Sequence, residues 1–235
     1  MKAIKFNLSG KFAHFKKPDV NSYAYFTYSH IHKIAVLGIL GSILGLKGYN
    51  QFETKEMKYP EFYEKLKDFK ISIIPKKPYF TKKIQTFNNS VGYASEEKGG
   101  NLIVREQWLE NVSWDILVLE NESNEFEELK ERLFKKEFVF IPYLGKNDFP
   151  ANIDNVEIVY LQKATKPLQS ISLVPKNEIK FIKQPRKGDV FYYEEYLPVR
   201  LKEEYVIYEF EKMVLSSMIV EGNLFEIGGR GVWCG

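Results

Sequence analysis

The chain has 235 residues, of which 44% are hydrophobic and 28% charged, as is typical of a soluble globular protein with one large domain or two small ones. Its one cysteine, Cys234, excludes an intramolecular disulfide and favours a reducing cytoplasm. The net charge of +3 conceals basic zones at residues 1–48 and 70–105 beside an acidic zone at 106–140. This asymmetry favours a directed surface for a polyanion.

The N-terminal part begins with an alternating strand in which Ile4, Phe6 and Leu8 share one face. A loop over residues 10–30 follows it. The next apolar run, residues 34–46, is too short to span a bilayer, so we predict a core helix over 31–46 and no membrane partner. No apolar segment follows the N-terminal lysine at once, and we therefore expect no signal peptide.

Further elements follow in the order helix, strand, hairpin, strand, helix and strand. They are predicted at residues 60–69, 70–74, 76–105, 114–119, 124–136 and 137–142. Without the hairpin, the first 143 residues have the βαββαβ order of an α+β, ferredoxin-like (RRM-like) fold, from which the hairpin protrudes as a thumb.

The remainder of the chain is richer in segments of strand character. These segments lie at 156–161, 179–182, 190–193 and 205–210. We therefore predict two domains, a ferredoxin-like domain at 1–145 and a smaller β-rich lobe at 146–235. The glycine-rich run at 228–231 is interpreted as a flexible tail rather than as a phosphate cradle.

Several classes of chemistry lack the residues that they need. No glycine-rich loop precedes a Lys-Ser or Lys-Thr pair, which disfavours nucleotide hydrolysis. One cysteine and three histidines do not give a clustered ligand set, so we predict neither a metal nor another cofactor.

Aromatic and basic residues alternate before the first helix. Tyr23, Tyr25, Phe26 and Tyr28 could stack unpaired bases, while neighbouring cations hold phosphates. The candidate RNA-contacting residues are Lys5, Lys16, Lys17, Tyr28, His30, His32, Lys33, Lys82, Lys83 and Arg105. Ordinary aromatic packing and a solvated hairpin are the alternative interpretations.

The pair His30 and His32 allows three interpretations. The two histidines could ligate a metal, although no matching carboxylate pair accompanies them. With Tyr28 and Lys33 they could serve as acid and base in metal-independent RNA cleavage. They could also position the helix start, where Lys33 helps to form an anion site, and this interpretation is favoured.

These residues resemble the N-terminal signature of the CRISPR-associated protein 5 family. The resemblance is carried by Gly10–Phe15 and His32–Gly45, and more weakly by Ile141–Lys146 and Leu197–Arg200. The segment Tyr28–Lys33 is most similar to the type I-B branch.

The resemblance implies a subunit of Cascade, the RNA-guided surveillance complex of antiviral defence. It implies a ferredoxin-like body with a thumb that grips the 5′ handle of the CRISPR RNA. It also implies contacts with the backbone subunit, whose filament is capped, and with the large subunit; target DNA stays open as a further partner. By position, Lys16, Lys17, His32, Lys33 and the thumb become handle contacts.

Two functional hypotheses follow. The favoured one is a non-catalytic RNA-binding ribonucleoprotein subunit. The other is a metal-independent endoribonuclease that processes CRISPR repeat RNA with Tyr28, His30, His32 and Lys33. The resemblance leaves catalysis open, because the motif of the RNA-cleaving members has no clear counterpart in this chain.

Overall fold

The first strand, β1 (Lys2–Ala13), has the predicted alternation, and its Ile4, Phe6 and Leu8 side chains are fully buried. In the computed structural model the described residues are 1–19, 23–52, 58–88, 96, 98, 102–182, 190–203 and 207–235. Within them the fold is mixed α/β, with mostly antiparallel sheets and few helices.

The main sheet contains five strands. Besides β1 these are β2 (Ile71–Pro75), β3 (Thr81–Asn88), β4 (Ile103–Leu119) and β5 (Asn152–Tyr160). Four of them follow the order β2-β4-β1-β5, and every neighbouring pair is antiparallel. The register places Phe6 and Ile73 on either side of Ile116, so that apolar side chains meet across the strands.

The hairpin of the predicted thumb is formed by β3 and the first half of β4. Its ladder runs from Thr81 opposite Glu110 to Asn88 opposite Ile103. The second half of β4 continues into the main sheet, so the hairpin is anchored there by an unbroken strand. Three residues of the turn signals that predicted this hairpin, Asn89, Gly99 and Gly100, lie outside the described residues.

The helix α1 (Lys33–Leu44) is a core element, as predicted. It begins at His32, whose Nδ1 accepts a hydrogen bond from the Ala35 N–H at 3.3 Å. It ends at Gly45, which has φ +78° and thus takes the left-handed conformation that stops many helices. Leu37, Leu40 and Ile43 are fully buried.

Two further helices lie beside α1. The short α2 (Glu61–Leu66) buries Phe62, Tyr63 and Leu66. The longer α3 (Asn124–Lys135) begins at Ser123, whose hydroxyl accepts from the Phe126 N–H at 3.2 Å, and buries an apolar stripe on one face.

The strand predicted at Glu137–Pro142 is wrong. The Val139 and Phe140 N–H groups donate to the carbonyls of Ile43 and Ser42, at 3.2 and 3.0 Å. The segment thereby binds carbonyls in the last turn of α1, and it does not join a sheet. The strand beside β1 is instead β5, which lies beyond the predicted domain boundary at residue 145.

The rest of the chain forms three small antiparallel sheets. Their strands are β6 (Gln162–Lys163), β7 (Leu168–Gln169), β8 (Val174–Pro175), β9 (Ile179–Phe181), β10 (Tyr192–Leu201), β11 (Tyr208–Ser216), β12 (Ile219–Gly222), β13 (Phe225–Ile227) and β14 (Arg230–Val232). Leu197, Val199 and Met213 pack into the same core as Leu37.

The glycine-rich run near the C-terminus is part of a hairpin, and its interpretation as a flexible tail is wrong. Gly228 and Gly229, with φ of +54° and +75°, form the turn between β13 and β14. Positive φ at both central residues matches the twist of a two-residue hairpin, which favours glycine there.

Candidate nucleic-acid interface

The segment after β1 folds back onto β4 of the β3–β4 hairpin. The Lys17 N–H donates to the Phe26 carbonyl at 2.8 Å, and the Tyr28 N–H donates to the Phe15 carbonyl at 3.0 Å. Tyr25 pairs with β4, since its N–H donates to the Arg105 carbonyl and its carbonyl accepts from the Gln107 N–H, both at 2.9 Å. Backbone bonds therefore fix the aromatic segment against the hairpin.

This arrangement creates a surface of four side chains, Lys16, Tyr23, Tyr25 and Arg105, which we call the basic-aromatic surface. The Lys16 Nζ lies 3.8 Å from the centre of the Tyr25 ring, and the Arg105 guanidinium carbon lies 5.4 Å from that of Tyr23. Tyr23 and Tyr25 are 60% and 40% exposed. Exposed rings beside cations are the elements that hold single-stranded nucleic acid, through stacking and phosphate contacts.

None of the ion pairs within 4.0 Å in the described part of the chain involves Lys16 or Arg105. Two of the predicted cations elsewhere do have acidic neighbours. Lys5 is 2.7 Å from Glu157, and Lys83 is 4.0 Å from Glu110. Lys82 is exposed on β3. The structure therefore brings together only part of the predicted set.

Lys17 points away from this group and holds the aromatic segment to β10. Its Nζ donates to Glu195 at 2.6 Å. The same carboxylate accepts from the Ser29 N–H at 2.9 Å and from the Tyr193 hydroxyl at 2.6 Å. Burial alone would raise the pKa of Glu195, but these hydrogen bonds outweigh it and hold the pKa below its usual value. The predicted RNA contact of Lys17 stays a prediction.

His30 is fully buried, and both of its ring nitrogens have partners. Its Nε2 is 3.1 Å from the Pro78 carbonyl, and the Trp114 indole N–H lies 3.4 Å from Nδ1. A carbonyl oxygen can only accept a hydrogen bond and an indole N–H can only donate one, so the proton of the neutral His30 ring lies on Nε2. Burial lowers the pKa of His30 to about 4, so the ring is neutral at pH 7.

His32 is also buried, and as described above it caps α1, which is the positioning part of the favoured interpretation; the anion site stays a prediction. Burial lowers its pKa to about 3. Tyr28 is buried with its ring centre 5.4 Å from that of His32, and burial raises the pKa of its hydroxyl. Burial, with a smaller contribution from Arg200, lowers the pKa of Lys33 to about 8.

Acid should destabilise the fold because these two histidines are neutral when folded. Their folded pKa values lie below 6.5, so the unfolded chain binds more protons as the pH falls from 7 to 4. Their contribution is present above pH 6.5, and about 2 kcal/mol per ring is lost by pH 5.

The measurement is urea unfolding at pH 7 and pH 5 of wild type and His32→Asn. Asparagine keeps a cap acceptor but does not titrate. We expect the acid-induced loss of stability to be smaller in this variant by about 2 kcal/mol. An equal loss of stability in both proteins would contradict the conclusion that His32 is neutral in the folded protein and titrates on unfolding.

The sequence interpretation missed a half-buried ion pair between Lys146 and Glu106. Glu106 accepts from the Lys146 Nζ at 2.7 Å and from the Trp108 indole N–H at 2.8 Å. The Lys146 Nζ also lies 5.2 Å from the centre of the Phe87 ring. Lys146 is 40 residues from Glu106 in the sequence, and the only signal was its position in a segment that carries the family resemblance.

His14, which the candidate set left out, lies beside this ion pair and is buried. Its Nδ1 is 2.9 Å from the Gln107 carbonyl, whereas its Nε2 has no partner among the described residues. Its backbone N–H donates to the Leu144 carbonyl at 3.0 Å. Two segments of the resemblance, Gly10–Phe15 and Ile141–Lys146, are therefore in contact.

No group of three or more His, Cys, Asp or Glu side chains in the described residues is arranged to hold a metal ion. None of the helices that these residues form has the length and apolar character needed to cross a membrane.

Solved CRISPR proteins share this fold. A chain of a CRISPR RNA-guided surveillance complex superposes with a TM-score of 0.55 at 11% identity, covering 93% of this chain and 91% of that one. A CRISPR protein from Archaeoglobus fulgidus gives 0.54 at 11% identity, covering 100% and 99%. A chain of the Type III-B Cmr-beta complex, bound to cognate target RNA and AMPPnP, gives 0.51 at 8% identity, covering 94% and 86%.

The sequence itself places the chain in a family. The family model described as CRISPR-associated protein (Cas_Cas5) matches residues 3–194. The chain belongs to this family, and the resemblance described from the sequence is confirmed. No curated protein matches the chain.

Proposed function

We propose that this protein is a non-catalytic subunit of a type I CRISPR Cascade surveillance complex, in which it binds the 5′ handle of the CRISPR RNA and caps the backbone filament. The observation that carries the proposal is the basic-aromatic surface, where two cations without ion-pair partners in the described residues lie against two exposed tyrosine rings. Cations and exposed rings together suit unpaired RNA, because they contact the phosphate and the base of the same strand.

The fold supports this proposal. The antiparallel order β2-β4-β1-β5, with α1 and α2 between β1 and β2 and α3 between β4 and β5, fits a ferredoxin-like body if β5 is its fourth strand. The β3–β4 hairpin fits the thumb, and the three small sheets fit the β-rich lobe. On this basis the predicted division at residue 145 would be adjusted to follow β5.

Family membership supports the remaining assignments. We propose the CRISPR RNA, a backbone subunit and the large subunit as partners, with target DNA as a further candidate. The type I-B branch and a cytoplasmic location belong to the same proposal.

The alternative, a metal-independent endoribonuclease, requires accessible groups for proton transfer. His30 has both ring nitrogens engaged, and the Nδ1 of His32 accepts the capping hydrogen bond of α1. Both rings and Tyr28 are buried. These contacts support a positioning role for the three side chains and favour binding over cleavage.

The two functions are separated by incubating the purified protein with CRISPR repeat RNA in EDTA. We expect a mobility shift with intact RNA. Cleavage that persists in EDTA and disappears in folded His32→Asn or His30→Ala protein would overturn the non-catalytic assignment. Intact RNA without any shift would contradict RNA binding itself. The thermal unfolding midpoint of each variant serves as the check on folding.

A further inference from the structure

An open groove of about 560 Å³ runs beside α1 and adjoins the basic-aromatic surface at Lys16, which lines both. This volume lies in the range of about 300–1,000 Å³ that is usual for pockets that hold small ligands. One wall is a stripe of small residues on α1, formed by Ala35, Gly38 and Ser42. The opposite wall includes Ile141 and Tyr143, which are 80% and 44% exposed.

The lining of the groove is suited to a flat, uncharged group attached to an anion. None of the described lining residues is acidic, and Lys16 lies at the end shared with the basic-aromatic surface. The exposed ring of Tyr49 also lines the groove. Aromatic rings stack on bases of any sequence, because every base has a π-face.

Polar groups along the groove can form hydrogen bonds with the edge of such a ligand. Gln51 accepts a hydrogen bond from the Gly48 N–H at 2.9 Å through Oε1, which leaves its amide NH₂ as a donor. Ser42 donates to the Ile39 carbonyl at 2.7 Å, so its hydroxyl oxygen can still accept. His14, with its buried and unpartnered Nε2, is a third polar lining residue.

We infer that this groove receives one unstacked base of the RNA strand that lies on the basic-aromatic surface. The inference rests on the proposed function and deepens it, because it assigns a base-binding subsite to the α1 face. Continuity through Lys16 and the acid-free lining favour RNA as the occupant. A protein segment seated in the groove is the competing outcome of the test.

Gly38 provides a way to fill the groove without disturbing the core. A Cβ added there meets no atom within 4 Å, and glycine weakens the middle of a helix. Gly38→Leu should therefore occupy the groove while its melting temperature stays at or above that of wild type. Gly38→Ala, which adds one methyl group, is the matched control.

The experiment measures the affinity of fluorescently labelled repeat RNA for the full chain, with intact RNA and with RNAs that carry one abasic position each. We expect Gly38→Leu to bind intact RNA about five- to tenfold more weakly than wild type, with Gly38→Ala in between. One abasic position should weaken wild-type binding by a similar factor, and the same position should have almost no effect in Gly38→Leu.

Other outcomes separate this inference from the proposed function. If Gly38→Leu binds like wild type while Lys16→Ala binds more weakly, the base subsite is wrong and the proposed function stands. If neither variant alters binding, the base subsite is wrong and the RNA does not lie on the basic-aromatic surface, which removes the observation that carries the proposed function. If Gly38→Leu keeps its RNA affinity but no longer co-purifies with the other complex subunits, the groove holds protein and the inference is overturned.

Discussion

The double variant Lys16→Ala/Arg105→Ala should bind repeat RNA about a hundredfold more weakly than wild type. Each substitution removes a cation that lies over an exposed tyrosine ring and has no ion-pair partner in the described residues. Hydrogen bonds to charged groups are worth about 1.5–3 kcal/mol each, so two bonds at the lower end of this range predict a loss of about 3 kcal/mol, which corresponds to an affinity change on the order of a hundredfold.

Salt dependence makes the same prediction more specific. Each phosphate neutralised on a single strand contributes about 0.7 to the slope of log affinity against log salt concentration. The slope should therefore fall by about 1.4 in the double variant. Fluorescence anisotropy titrations over a series of salt concentrations provide both the affinity and the slope.

The matched control is Arg132→Ala/Lys135→Ala on α3. It removes the same formal charge, but these side chains are paired with Glu128 and Glu131. We expect its affinity and salt slope to stay near those of wild type. Equal losses in both double variants would show that overall charge, rather than the basic-aromatic surface, determines binding.

Gly145→Ala should destabilise the fold by more than about 3 kcal/mol. Gly145 has φ +86°, and a Cβ there would lie 2.0 Å from the His14 carbonyl oxygen. Left-handed backbone alone costs a non-glycine residue about 1–2 kcal/mol, and the clash with backbone adds to this. Relief of the clash would separate the 141–146 segment from the strand that leads to Lys16.

Gly229→Ala isolates the conformational part of this cost. Gly229 has a similar φ of +75°, but its added Cβ would meet no atom within 4 Å. Urea unfolding should therefore show a loss of about 1–2 kcal/mol for Gly229→Ala, and a clearly larger one for Gly145→Ala. A difference below about 1 kcal/mol between the two variants would contradict the contact between Gly145 and His14.

Helices and strands whose buried apolar residues form a regular local pattern were predictable from the sequence. The alternation of Ile4, Phe6 and Leu8 identified β1, and the length of the apolar run identified α1 as a core helix. The segment at 137–142 was misassigned because its backbone binds the end of α1. That partner is almost a hundred residues away, and no local pattern reveals it.

The candidate site was predictable in composition but not in geometry. The sequence placed Lys16, Tyr25 and Arg105 among the candidates, but their meeting depends on the pairing of the aromatic segment with β4. The burial of His30 against Trp114 and the ion pair of Lys17 with Glu195 are also long-range contacts. Residue type alone did not separate these positioning roles from direct RNA contact.

The central claim, recognition of the 5′ handle, is tested most directly by comparing two RNAs of equal length. One carries the repeat-derived 5′ handle followed by a spacer, and the other carries a scrambled handle before the same spacer. At a salt concentration where nonspecific binding is weak, we predict that the protein binds the handle-bearing RNA at least about tenfold more tightly. Equal affinities for the two RNAs would contradict the proposed function.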